Sequence, residues 1–122
     1  MAQPPLSTPP MDVVPSSRVR LARVALGAAH AVPAVVRGDV GPGGVCVTGD
    51  PPGVLEGVSV VAQPGGRFEV SLCLVAELVP LHELGEAVRR EIATAAARDG
   101  LGERLGDVSV DFADVVAPEE LS

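Results

Sequence analysis

The two histidines and two cysteines of this 122-residue chain, His30, His82, Cys46 and Cys73, are its soft-metal and redox chemistry. Together they would make a nitrogen and sulfur ligand set of the kind that holds zinc. Their spacing argues against it, because each stands singly and no Cys-x-x-Cys pair occurs. His82-Glu83-Leu84-Gly85-Glu86 approaches the His-Glu-x-x-His helix motif of zinc proteases. Glu86 stands where the second imidazole is required, so the motif fails and His82 reads as an ordinary first-turn surface residue. No metal is expected. Two cysteines are too few for a disulfide scaffold, and both read as reduced thiols of a cytosolic protein, with a single disulfide as the alternative. Cys73 falls mid-strand, and activating it would need an electropositive neighbour.

Nucleophilic chemistry is equally thin. Ser59, Ser71 and Ser109 lie in strand-like runs with no nucleophile elbow around them. Acidic pairs such as Asp111 with Asp114 read as solvated strand edges. The stretch from Gly38 to Gly57 holds seven glycines and three prolines, yet it is no phosphate cradle. Such a cradle needs a helix N-terminus after it, and strand-like residues follow instead. No catalytic residue and no cofactor are expected, and the chain reads as a non-enzyme. Arg20, Arg23 and His30, with Arg37 further along, form the one basic stripe. It is either a solvated helix face or a docking patch for an acidic partner segment, and Arg20, Arg23 and His30 are the candidates for that docking.

The elements that would position these groups follow from periodicity. Residues 1–17 read as a disordered, Pro-rich leader, in which Pro4-Pro5 and Pro9-Pro10 could dock on an aromatic groove. Ser16-Ser17 offers an N-cap. From Arg18 to about Val32, Leu21, Ala22, Ala25, Ala28, Ala29 and Val32 share a helical face, and Pro33 ends the helix. The Gly/Pro stretch reads as a connector with one extended piece at Val45–Thr48. Val58–Gln63 and Phe68–Leu78 form a hairpin around Pro64-Gly65-Gly66-Arg67. A helix starts at Pro80 and stops at Gly100, with Leu81, Leu84, Val88, Ile92, Ala95 and Ala96 as its apolar stripe. Glu86 and Arg90 are spaced to pair along it. Asp107 to Ala113 alternates as a last strand, and residues 117–122 read as a short acidic tail. The fold class is α+β: two layers, a small mostly antiparallel sheet with two helices packed on one face, in the order α-β-β-β-α-β. Residues 18–116 would be its single domain.

Composition excludes more. A formal charge of −7, with no Trp or Tyr, leaves neither the clustered basic charge nor the stacking surface that nucleic acid requires. No apolar run reaches the roughly 18 residues needed to span a bilayer. The first 15 residues lack the apolar core of an export signal.

With the element order in hand, the chain resembles the alkaline shock protein family of bacterial envelope stress response proteins over Arg18 to Val116. Four stretches carry the resemblance. They are Val19–Ala29 running to Val32-Pro33-Ala34-Val35, then Gly57–Val61 with Phe68–Glu77, then Val79-Pro80 with Glu86–Ile92, and finally Val108–Val115. The family's usual Gly after the helix-ending Pro is Ala34 here. The resemblance implies a non-enzymatic cytoplasmic protein of cell-envelope homeostasis. It would act as an interaction scaffold at the inner face of the membrane, through self-association or paralogues and a small membrane-anchored partner. The alternative from the residues alone is a small-ligand- or metal-binding module, or a non-catalytic subunit of a larger assembly.

Overall fold

The computed structural model describes residues 16–117 and 119; the leader, with its two Pro-Pro pairs, and most of the acidic tail lie outside the described residues. Ser16 caps the first helix, its hydroxyl accepting from the Val19 backbone N–H at 3.3 Å. Helix α1 (Ser17–His30) buries Leu21, Ala22, Ala25, Ala28 and Ala29. Ala31 caps its end and the Val32 N–H bonds the Ala29 carbonyl at 3.1 Å, so the last turn tightens before Pro33. Ala34 then takes φ +79°. This left-handed backbone turns the chain into strand β1 (Val35–Gly38).

The Gly/Pro stretch is more ordered than its composition predicts. After a 3₁₀ turn at Pro42–Gly44 it forms a second, two-stranded sheet of β2 (Val47–Asp50) and β3 (Gly53–Glu56). Pro51 and Pro52, joined by a cis peptide, are the two-residue turn, with Asp50 opposite Gly53. Four-residue strands are too short to show a periodicity, so tertiary anchors decide them. The Thr48 hydroxyl, 1 % exposed, donates to the Val58 carbonyl at 2.8 Å and ties this hairpin to the main sheet. Gly57 at φ +105° passes so close to Gly38 that a Cβ on Gly57 would meet the Gly38 Cα at 2.6 Å.

Strand β5 (Phe68–Glu77) is the axis of the main sheet. One edge carries β4 (Val58–Ala62) against its first half and β1 against its second, both antiparallel. The other edge carries β6 (Leu105–Val116), parallel to β5 from Phe68 to Glu77. The direction follows from the connection: helix α2 (Leu81–Arg98) carries the chain back along the sheet, and such a return leaves the next strand parallel. Gly100 at φ +77° ends α2, as expected of a helix stop.

Both helices cover one face, giving the expected two-layer α+β domain. Leu21, Ala25 and Ala29 of α1 pack with Val88, Ile92 and Ala96 of α2 and with Val58, Val60, Val70, Leu72 and Leu74 of the sheet in one core. The other face holds Glu69, Ser71, Cys73, Val75 and Glu77 of β5. Val75 there is only 1 % exposed, so this face is partly roofed.

Candidate functional site

The basic stripe of α1 is largely engaged inside the molecule. Arg20 Nη2 donates to the Asp99 carbonyl at 3.1 Å and to its carboxylate at 3.3 Å, fastening α1 to the end of α2. Arg23 grips both oxygens of Asp50, Nε to Oδ2 at 2.9 Å and Nη2 to Oδ1 at 2.5 Å. The hydrogen bonds from Arg23 hold the Asp50 carboxyl below its ordinary range. His30 stays exposed in the last turn of α1. Of the three docking candidates, two are thus tied to carboxylates of this chain.

The structure brings Cys46 and Cys73 together, which no sequence spacing announced. Cys46, 4 % exposed, lies over the outer face of β5 with Cys73 beside it, its thiol 3.9 Å from the Ser71 carbonyl that accepts from it. Burial, first, and then the neighbouring Cys73 push the Cys46 thiol up to about 12. Asp111 of β6 stands opposite Cys73 in register and adds negative charge. Beside them the Ser109 hydroxyl bonds the Ser71 hydroxyl at 3.2 Å. His30 and His82 take no part. Among the described residues no group of three or more His, Cys, Asp or Glu is placed to hold a metal ion.

A second feature lies where α2 meets β6. Leu81, His82, Gly85 and Arg89 of α2 with Val110 and Phe112 of β6 line a cleft of about 240 Å³. Gly85 lies over Phe112, and a Cβ there would sit 3.9 Å from the ring. Arg89 closes one side, Nε donating to the Val108 carbonyl at 3.1 Å and Nη1 to Glu86 Oε2 at 2.7 Å. Glu86 therefore pairs with Arg89 and not, as its spacing suggested, with Arg90. Beyond the cleft runs the outer side of β6, which pairs with no strand among the described residues. The alternation of Val108, Val110 and Phe112 marks this strand in the sequence. That its far side is open does not show there, because pairing is a tertiary fact.

Fold and surfaces define a two-layer α+β domain in which, among the described residues, β6 leaves a long strand edge open. Neither a family model nor a curated protein matches the chain. Its fold is similar to that of a Met-to-Leu variant of the MamM CTD. That structure has 16% sequence identity and a TM-score of 0.52, over 81% of this chain and 99% of that one. A Glu-to-His variant of the same CTD, in a nickel form, is similar at 15% identity and TM-score 0.50, over 79% and 96%. At these identities the likeness concerns the fold alone. No helix among the described residues is long and apolar enough to cross a membrane.

Proposed function

We propose that the chain is a non-catalytic interaction domain that pairs with a second copy of itself along β6, as a subunit of a larger assembly. The observation that carries this reading is the twelve-residue strand Leu105–Val116 with its outer side open. An unpaired strand of that length is a template for another strand. Two-fold pairing is antiparallel and places residues of one face opposite each other. An axis at Val110 sets Val108 against Phe112, Val110 against itself, Ser109 against Asp111 and Asp107 against Ala113. An axis at Ser109 would set Asp107 against Asp111, and one at Asp111 would set that residue against its own copy. Directly opposed like charges destabilise a sheet, so charge disfavours the axes at Ser109 and Asp111, and Val110 is the axis that sets Val108 against Phe112.

The test is the particle mass in solution. The native chain is expected to form dimers at micromolar concentration, with Val110→Lys monomeric and its circular dichroism unchanged. Val110→Cys is expected to give a chain-to-chain disulfide on oxidation, and Val61→Cys on β4 none. A native chain that stays monomeric at all concentrations overturns the reading.

The α2–β6 cleft favours a second reading, a small-ligand- or metal-binding module, and the nickel form of the fold neighbour points the same way. At about 240 Å³ the cleft is smaller than the roughly 300–1,000 Å³ typical of ligand pockets, so it suits a partner side chain better. Calorimetric titration with nickel showing tight, stoichiometric binding would reverse that order.

The narrower reading, an envelope stress scaffold held near the cytoplasmic membrane by a small membrane-anchored partner, rests on the sequence resemblance. One local observation supports it: Ala34, where the family carries Gly, takes the left-handed backbone that glycine favours. Cross-linked recovery of a membrane-anchored protein or of paralogues from the native host tests it.

A further inference from the structure

We propose that Cys46 and Cys73 are an oxidisable pair which hydrogen peroxide converts into an internal disulfide, stapling the Gly/Pro segment to the sheet. The backbone sets the two cysteines beside each other. Gly57 bridges both residues, its N–H donating to the Cys46 carbonyl at 2.8 Å and its carbonyl accepting from the Cys73 N–H at 3.0 Å. The Cys46 N–H bonds the Val40 carbonyl at 2.7 Å, and the Asp39 N–H bonds the Cys73 carbonyl at 2.9 Å. Gly41 makes the approach possible. At φ +76° it crosses between the two cysteines, where a Cβ would lie 3.2 Å from Cys73 Sγ and 3.3 Å from Cys46 Cβ.

Exposure divides the roles. Cys73 is half-buried on the outer face and is the sulfur a solute reaches; Cys46 is nearly sealed. In the first step the Cys73 thiolate attacks one peroxide oxygen. An S–O bond forms, the O–O bond breaks, and hydroxide leaves and takes a proton, giving Cys73 sulfenic acid and water. The Cys46 sulfur then attacks Cys73 Sγ. The S–S bond forms, the S–O bond breaks, and the departing hydroxide carries off the Cys46 proton as a second water. Two thiols lose two electrons and two hydrogens, and the peroxide is reduced to two waters. Cys73 faces Asp111 of β6 in register and not a cation, so nothing beside it activates the first step. The adjacent Cys46 then competes with a second peroxide for the sulfenic acid.

The experiment exposes the full chain to hydrogen peroxide and reads intact mass, free thiols and migration without reductant. The expected product is a chain lighter by two hydrogens, with no free thiol and no covalent dimer, restored by dithiothreitol. Its melting temperature is expected to rise by on the order of 10 °C, because the closed loop spans three strands. Cys46→Ala is expected to gain oxygen at Cys73 instead, and Cys73→Ala to leave Cys46 unreacted over the same exposure. Oxygen uptake at Cys73 of the native chain with the Cys46 thiol intact overturns the proposal, and so do disulfides formed only between chains. Should Cys46→Ala fail to fold, the native mass alone decides.

Discussion

Arg23 of α1 and Asp50 of β2 meet in a two-pronged ion pair across 27 residues of sequence. The residue that looked like a docking cation is a clamp between the first helix and the small hairpin. Its consequence is testable through Asp50, whose folded carboxyl ionises below its ordinary value. A depressed carboxyl adds stability that is present above the unfolded value, roughly 3.9, and lost as pH falls through the folded one. Carboxyl NMR titration is expected to show Asp50 returning to the ordinary range in Arg23→Ala. Amide exchange should then quicken across Val47–Glu56, with little change in global stability, since the pair is solvent-exposed.

Cys46 supplies the opposite sign. Its thiol is held protonated in the folded chain to about 12, whereas an unfolded thiol ionises at roughly 8.5. The stabilising contribution is complete below the unfolded value and is lost as pH rises through the folded one. Urea unfolding of the reduced chain is therefore expected to weaken between pH 9 and 12, by at most about 1.4 kcal/mol per pH unit. Cys46→Ala should flatten that part of the curve.

Thr48 tests the link between the sheets. Thr48→Val keeps the shape and removes the donor to the buried Val58 carbonyl. A loss of about 1–3 kcal/mol is expected in chemical denaturation. A value near zero would mean that water replaces the hydroxyl.

Two glycines and one alanine should respond in different directions. Gly57→Ala places a Cβ at 2.6 Å from the Gly38 Cα on a left-handed backbone, and is expected to cost more than about 2 kcal/mol. Gly27, exposed in α1 with nothing within 4 Å of an added Cβ, is expected to gain about 0.5–1 kcal/mol as Ala. Ala34→Gly should be stabilising by about 1 kcal/mol, because it relieves a left-handed alanine. Thermal and urea unfolding of the three variants checks the order.

The sequence by itself determined α1, α2, the β4–β5 hairpin and β6, together with the helices' buried faces. Each of these is long enough for its apolar residues to repeat at 3.6 or 2, and each is bounded by a local signal such as Ser16, Pro80 or Gly100. Only the tertiary structure decided that β6 runs parallel with its outer side open, and that Arg20 and Arg23 turn to Asp99 and Asp50. It likewise decided that β2 and β3 form, and that Gly41 and Gly57 seat Cys46 against Cys73. The physical reason is range. Helix and strand periods are written in neighbouring residues, whereas the β5–β6 pairing, the Arg20–Asp99 and Arg23–Asp50 ion pairs and the approach of Cys46 to Cys73 join positions 27 or more apart, and β2 and β3 are too short to show a period and are held by Thr48 reaching Val58.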